Sequence, residues 1–274
     1  MRVRQVRRGR LVLDVRDEGP VDGGTVLLLH GFPQDGSCWD EVVPALQGEG
    51  LRTLAPDQRG YSPGARPPER AAYRLEFLVA DAVAVLDAAG VGRAHVVGHD
   101  WGGGVAWALA AEHPDRVASL TAVSTPHPRA LAGALLSPDQ AARLWYMGAF
   151  QLPRLPEAVL VRRLPSLLAA SGLPDPWVER YTLRMREPGA VRGALNWYRA
   201  LPLSRLRPGD VTVPTTYLWG AGDPALRRTA ARRTGRHVDA PYRFVELSAG
   251  HWLPETEPEE VATAVLDVAA VPGG

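Results

Sequence analysis

Lysine and isoleucine are both missing from this chain of 274 residues, so all 31 of its basic side chains are arginines. The absence of lysine excludes Schiff-base chemistry through a lysine amine. The 30 acidic residues balance the arginines and leave a net charge of +1. The chain therefore has no overall field that would attract nucleic acid or an anionic membrane, and we expect neither as a partner.

Cysteine and long apolar runs are nearly as scarce. The single cysteine, Cys38, cannot form an internal disulfide, and its place beside Trp39 on a predicted helix favours a packed thiol over a catalytic one. No stretch approaches ~18 consecutive apolar residues, and the N-terminus alternates Arg with Val instead of forming a signal sequence. We therefore expect a cytoplasmic protein without a membrane span.

Short apolar runs alternate with helical periodicity along most of the chain. The predicted strands cover residues 2–7, 10–16, 26–29, 51–55, 94–97, 117–123, 215–219 and 242–247. The predicted helices cover residues 37–47, 75–89, 101–112 and 258–268. This alternation predicts an α/β fold with a mostly parallel, doubly wound sheet.

Residues 126–213 interrupt the alternation. They form short helical pieces separated by prolines, with three tryptophans among them. A disordered linker would contain fewer aromatic residues and less leucine. We therefore predict a helical cap, or lid, inserted into a core domain made of residues 1–125 and 214–274.

The sequence GHDWG at residues 98–102 follows a predicted buried strand and opens a helix, which is the setting of a nucleophile elbow. Its central residue is Asp100 where many hydrolases have serine. A carboxylate that attacked an acyl carbon would form an anhydride, whereas displacement at a saturated carbon gives a stable alkyl ester. Epoxides and haloalkanes are the two substrate classes that follow from this chemistry.

A carboxylate of reference pKa ~3.9 needs no base to become a nucleophile, so a histidine is needed only to activate the water that clears the ester. His251 follows the last predicted strand, at the ligand edge of an open α/β sheet. Asp223 follows the strand after the insertion, where it is expected to orient His251. Asp223-Pro224 also has the pattern of a helix cap, and both interpretations remain open.

The sequence HGFP at residues 30–33 ends the third predicted strand. The backbone N–H groups of Phe32 and Trp101 are the predicted oxyanion hole, which stabilises the tetrahedral species formed when water attacks the Asp100 ester. A simple strand-ending proline turn is compatible with that role.

The chain closely resembles the epoxide hydrolases of the α/β-hydrolase superfamily over essentially its whole length. The resemblance is most specific at HGFP, GHDWGG, GxxD and GHW, and it includes the lid. It implies two lid tyrosines that donate hydrogen bonds to the epoxide oxygen: Tyr198, in Asn-Trp-Tyr-Arg, and, by a looser match, Tyr146. For each tyrosine, an aromatic core residue of the lid is the alternative.

Other functions fit parts of the pattern. A haloalkane dehalogenase would share Asp100 and Trp101 but needs a second halide donor, and Phe32 stands where many dehalogenases have asparagine. Fluoroacetate dehalogenases usually have arginine at the position of Trp101. A non-catalytic receptor for small molecules on this scaffold is a more distant alternative, against which the intact catalytic set argues, and an ordinary esterase is the least favoured.

No ligand cluster or phosphate-binding loop is evident, so no metal or organic cofactor is expected. In the arginine cluster at residues 227–236, Arg228, Arg232 and Arg236 recur every four residues, as on the solvated face of a helix. The expected partner is a small apolar epoxide. The identity of the epoxide, the stereochemical outcome and the oligomeric state do not follow from the sequence.

Overall fold

The computed structural model describes residues 2–136 and 138–271. Its centre is an eight-stranded sheet of order β1-β2-β4-β3-β5-β6-β7-β8. The strands are β1 (Gln5–Arg8), β2 (Leu11–Glu18), β3 (Thr25–Leu29), β4 (Arg52–Pro56), β5 (Ala94–His99), β6 (Val117–Val123), β7 (Thr215–Gly220) and β8 (Tyr242–Leu247). Strands β3 to β8 are parallel, while β1 and β2 form an antiparallel edge.

The helices of the α/β alternation are α1 (Val43–Gly48), α2 (Leu75–Ala88), α3 (Trp101–Glu112), α10 (Arg228–Arg233), α11 (Leu253–Thr256) and α12 (Pro258–Ala269). Every residue of β3 and β4 is buried, which explains the apolar run at residues 26–29 of β3. Helix α2 packs with α3, and α1 packs with α12, so the sheet is covered as expected for right-handed crossovers. The predicted α/β fold with a doubly wound sheet is confirmed.

Between β6 and β7 the described residues form six α-helices, which we call the helical insertion. They are α4 (Pro128–Ala134), α5 (Pro138–Arg143), α6 (Trp145–Ala149), α7 (Leu155–Ala170), α8 (Asp175–Met185) and α9 (Ala190–Ala200). Helices α7, α8 and α9 contact one another, and α9 also packs on the short 3-10 helix Arg70–Tyr73 of the sheet region. The insertion therefore rests on the loops that follow the parallel strands.

One predicted helix is wrong in its extent. Residues 37–47 form a 3-10 helix, Gly36–Trp39, and then α1, which begins at Val43. The break has a local cause: Pro44 has no N–H to donate, and its ring would clash with the carbonyl four residues earlier. Cys38 lies in the 3-10 helix and is fully buried, which confirms a packed thiol.

The arginines near residues 227–236 occupy α10 and the 3-10 helix Thr234–His237 that follows it. Arg228, Arg232 and Arg236 are all exposed, which confirms a solvated face. Among the described helices, none is long and apolar enough to cross a membrane.

Candidate active site

Asp100 lies at the turn between β5 and α3 in a conformation that is unfavourable for a residue with a side chain, with φ of +50° and ψ of −122°. The turn is tight because the backbone of α3 approaches that of β3. A Cβ atom at Gly102 would overlap the backbone carbonyls of Leu29 and His30, so only glycine fits there. The strained turn holds Asp100 above the end of the sheet, as a nucleophile elbow requires.

One oxygen of Asp100 is held by the loop that follows β3. The Phe32 backbone N–H donates to Oδ1 at 2.9 Å, and the Trp101 N–H is a second backbone partner of the carboxylate. Burial raises the pKa of Asp100, while His251 and the two backbone N–H groups act in the opposite direction. The groups predicted for the oxyanion hole therefore both contact the Asp100 side chain.

His251 lies between two carboxylates. Its Nδ1 is 2.7 Å from Oδ2 of Asp223, and its Nε2 is 3.7 Å from Oδ2 of Asp100. Burial by itself would lower the pKa of His251, but the charge and hydrogen bond of Asp223, together with Asp100, outweigh it and raise the pKa to about 9. The imidazole of the free protein is therefore charged at neutral pH, and the Asp100 carboxyl group is its second neighbour.

Asp223 does not cap the next helix, because α10 begins at Arg228 and has Arg227 as its N-cap residue. Its Oδ1 accepts hydrogen bonds from the backbone N–H groups of Ala225 and Leu226, at 2.7 and 2.9 Å, so it caps the turn after β7. Its Oδ2 is left to accept from His251. The backbone bonds fix the orientation of the carboxylate and thereby that of the imidazole.

The helical insertion supplies the two predicted tyrosines. The ring of Tyr198, in α9, lies 4.8 Å from the Trp101 ring and 5.7 Å from the Phe32 ring, as measured between centroids. The ring of Tyr146, in α6, lies 6.2 Å from that of Tyr198. Burial and the nearby charge of Asp100 raise the pKa of both phenols, so both stay protonated at neutral pH.

The neighbours of Tyr198 in its sequence motif anchor α9. The indole N–H of Trp197 donates to the carbonyl of Arg59 at 2.7 Å, and Arg199 forms a 2.7 Å ion pair with Glu157 of α7. The amide of Gln151 donates to the Tyr198 carbonyl at 2.9 Å. These contacts hold the tyrosine backbone to the sheet region on one side and to the insertion on the other.

A buried polar network behind the imidazole was not recognised from the sequence. The Nε2 of His99 lies 2.9 Å from the His251 carbonyl, and its Nδ1 lies 2.8 Å from Oε1 of Gln34. The Gln34 amide and the Tyr181 hydroxyl each donate to Oε1 of Glu255 at 2.7 Å. Burial raises the pKa of Glu255 to about 7. The only sequence signal for this network is the place of His99 beside Asp100.

Within residues 2–136 and 138–271, no three His, Cys, Asp or Glu side chains are grouped so as to hold a metal ion. The Cys38 thiol is fully buried, and burial raises its pKa, which makes it a poor nucleophile. The groups that the described residues bring together at the site are the carboxyl group of Asp100, the imidazole of His251 with its carboxylate partner Asp223, backbone N–H donors and two phenols.

The chain is similar to known proteins over most of its length. A family model described as alpha/beta hydrolase fold matches residues 24–258. The chain is 36% identical to the AB hydrolase superfamily protein YfhM of Bacillus subtilis, with 96% of each chain covered. It is 33% identical to Epoxide hydrolase A of Mycobacterium tuberculosis, with 93% of each covered.

A solved structure is similar at the level of the whole fold. The crystal structure of Epoxide Hydrolase A from Mycobacterium thermoresistibile superposes with a TM-score of 0.83, at 31% identity and with 97% of each chain covered. Sequence and structure thus point to the same group of proteins.

Proposed function

Because the chain belongs to the epoxide hydrolases of the α/β-hydrolase fold family, we propose that it opens an epoxide to a vicinal diol through a covalent ester on Asp100. The observation that carries this proposal is that Asp100 holds the elbow position with His251 behind it and two insertion tyrosines close by. A carboxylate suits displacement at a saturated carbon, and the phenols suit an oxygen leaving group.

In the first step Oδ2 of Asp100 attacks one carbon of the epoxide. Because Oδ1 accepts from the Phe32 N–H, we assign the attack to Oδ2. As the new C–O bond forms, the ring C–O bond breaks, and its oxygen takes a proton from Tyr146 or Tyr198. An unassisted ring opening would expel an alkoxide far more basic than a phenol of pKa ~10, so this proton lowers the barrier.

In the second step His251 removes a proton from water, which attacks the carboxyl carbon of the ester. The backbone N–H groups of Phe32 and Trp101 stabilise the oxyanion that forms on Oδ1. Collapse of the tetrahedral species breaks the bond to the original Asp100 oxygen, and the departing diol oxygen takes the proton back from His251. The new carboxyl group loses the remaining water proton to the phenolate that the first step left, so the carboxylate and the phenol are both restored and one Asp100 oxygen now comes from water.

The two steps are linked through the charge of Asp100. The negative charge of Asp100 is one of the causes that raise the pKa of His251 to about 9 in the free protein. Ester formation removes that charge and thereby lowers the pKa of the imidazole. The histidine therefore becomes more available as a neutral base at the step that requires one.

We also propose that residues 126–213 act as a cap that carries Tyr146 and Tyr198 over the core domain and covers a small, apolar epoxide. Phe32, Phe150 and Trp101 surround the Tyr198 ring and support an apolar, aromatic pocket. The cap assignment is supported by the packing of α9 on the 3-10 helix Arg70–Tyr73 of the sheet region.

Haloalkane dehalogenation is less well supported. A halide would need an indole N–H besides that of Trp101, and a tryptophan of the insertion is the natural source. The Trp197 indole already donates to the Arg59 carbonyl at 2.7 Å, and the Trp145 side chain is 71% exposed. The two phenols also have no role in halide release.

Product analysis with a panel of aromatic and aliphatic epoxides tests the reaction. The wild type is expected to form diol, and Asp100→Ala is expected to form none above the uncatalysed rate. Halide release from haloalkanes, without diol from any epoxide of the panel, would contradict the proposal.

The tyrosines are tested by the double variant Tyr146→Phe/Tyr198→Phe. It should slow ester formation on the order of 100-fold or more, because general-acid assistance is lost, with little change in substrate binding. Stopped-flow measurement of ester formation separates the two quantities. Unchanged ester formation in the double variant would exclude the phenols as acids.

A further inference from the structure

Ser124, the residue after β6, is fully buried and has a left-handed backbone with φ of +51°. Serine rarely adopts this conformation, because its Cβ crowds the following carbonyl. Asp100 and Arg154 are the other non-glycine residues with positive φ in the described chain. Conformations of this kind persist where surrounding contacts fix them, and they concentrate at functional sites.

Ser124 and its neighbour Thr125 each donate a side-chain hydrogen bond to one of the two reacting residues. The Ser124 Oγ donates to the backbone carbonyl of His251 at 2.8 Å. The Thr125 Oγ1 donates to the backbone carbonyl of Asp100 at 2.7 Å. Two consecutive hydroxyls thus connect the elbow after β5 to the histidine loop after β8.

The sheet order explains why β6 can serve both loops. Strand β6 lies beside β5, and only β7 separates it from β8. The backbone N–H of Ser124 donates to the Leu218 carbonyl of β7 at 2.9 Å, and the Trp107 indole of α3 donates to the Thr125 carbonyl at 2.9 Å. Hydrogen bonds to β7 and to α3 therefore fix the positions of Ser124 and Thr125, so both residues can fix the loops that they contact.

We propose that Ser124 and Thr125 are a positioning pair that sets the separation between the nucleophile and the base, an inference that rests on the proposed function. Ser124 acts on the histidine loop and hence on ester hydrolysis, while Thr125 acts on the elbow and hence on ester formation. The His251 carbonyl also accepts from His99 and from the Leu253 N–H, so loss of Ser124 weakens the position without releasing the loop.

Rapid-mixing kinetics with an epoxide that the wild type hydrolyses separates the two roles. Ser124→Ala should slow ester decay about tenfold, the loss expected for one hydrogen bond, with ester formation nearly unchanged. Thr125→Val, which has the same shape without the donor, should slow ester formation about tenfold. Thr125→Ser keeps the hydroxyl and should retain the wild-type rate.

Ser124→Gly distinguishes the hydroxyl from the strained backbone. Glycine lacks the donor but adopts positive φ without penalty, so Ser124→Gly should slow ester decay as much as Ser124→Ala does. If Ser124→Ala does not fold, Ser124→Gly still tests the loss of the hydroxyl. Recovery of the wild-type rate in Ser124→Gly, or equal slowing of both steps by both Ser124 and Thr125 variants, would overturn the proposal.

A titration that needs no substrate tests the pair independently of turnover. The His251 imidazole is followed by NMR and assigned with His251→Gln. Ser124→Ala should lower the pKa of His251 by about half a unit or more, because the contact with Asp223 loosens. An unchanged titration would overturn the role of Ser124, whereas a wild type that forms no ester from any epoxide would instead overturn the proposed function.

Discussion

The identity of one residue, Asp100, determines which bonds the site is suited to break. Serine at the same elbow would form an acyl ester, while a carboxylate forms an alkyl ester at a saturated carbon. In the proposed mechanism His251 acts only in the second step, because an ionised carboxylate needs no base for its own attack. The 3.7 Å separation between His251 Nε2 and Asp100 Oδ2 is consistent with a base that acts on a water beside the ester.

Replacing His251 with glutamine should therefore separate the two steps. The His251→Gln variant is expected to form the alkyl ester but to clear it more slowly by several orders of magnitude, because water loses its base. Mass spectrometry of the intact variant after incubation with an epoxide should show the added mass of one substrate. Asp100→Ala/His251→Gln is the matched control and should show none. No added mass on His251→Gln, with an epoxide that the wild type hydrolyses, would contradict the two-step scheme.

The pKa of His251 should depend on Asp223. In the wild type the pKa is raised to about 9, so the free imidazole is charged below that pH and becomes neutral only as the pH rises through it. Asp223→Asn removes the largest cause that raises it and leaves burial, which lowers it. The pKa should therefore fall by two units or more, toward or below its reference value of about 6.5. NMR titration of His251 measures the shift, and a pKa that stayed near 9 would show that Asp100 alone holds the charge.

At the scale of elements, the position of Tyr198 depends on how closely α9 approaches the loop after β4. A Cβ atom at Gly193 would lie 2.5 Å from the Gly60 carbonyl oxygen and 2.7 Å from its Cα, both of which are backbone atoms that cannot turn away. Glycine at this point of α9 therefore permits the close contact that places Tyr198 one to two turns later. The low helix propensity of glycine is outweighed by that contact.

Gly193→Ala should accordingly force α9 away from the core. We expect a loss of about 1 to 3 kcal/mol in unfolding free energy from overpacking, together with slower ester formation because Tyr198 moves. Gly148→Ala, in α6, is the matched control: no atom lies within 4 Å of its Cβ position, and alanine favours a helix. Denaturant unfolding and stopped-flow kinetics measure both effects. Equal unfolding free energies and equal rates of ester formation in the two variants would show that the close contact does not position α9.

At the scale of the whole molecule, helix α8 connects the insertion to the core by ion pairs. Arg184 contacts Asp35 Oδ2 at 2.9 Å, Asp57 Oδ2 at 2.6 Å and Glu187 Oε1 at 2.7 Å. One turn earlier, Tyr181 reaches the buried carboxylate of Glu255. Burial and the neighbouring Asp35 raise the pKa of Asp57 to about 6, so this carboxylate depends on Arg184 for its charge.

Arg184→Met should destabilise the protein in a pH-dependent manner. A carboxyl whose pKa is raised from its ordinary value to about 6 on folding favours the folded state while protonated, and that contribution is lost as the pH rises through the window from about 4 to 6. Without Arg184 the pKa of Asp57 rises further. The loss of unfolding free energy should therefore be small at pH 5 and about 2 kcal/mol at pH 8. Arg180→Met, whose ion pair with Asp40 is more exposed, is the control and should cost little at either pH. Equal losses for Arg184→Met at both values of pH would show that Asp57 is not its main partner.

Much of the architecture follows from local patterns in the sequence. Helix α3 and strands β6 and β8 begin and end at the predicted residues, because apolar periodicity and flanking glycines and prolines are local signals. The elbow and its aspartate also follow from neighbouring residues, and they indicate the reaction class. The roles of the site residues remain predictions that the geometry supports.

The tertiary structure was needed wherever distant segments meet. It brings His251 within 2.7 Å of Asp223 and puts the rings of Tyr146 and Tyr198 6.2 Å apart. It also shows that Asp223 accepts from two backbone N–H groups without capping α10, which begins at Arg228. It also reveals the contacts of Ser124 and Thr125, which carry no motif of their own. The sequence by itself determines which residues follow each strand. The distances between those residues depend on strand order and helix packing, which no local spacing specifies.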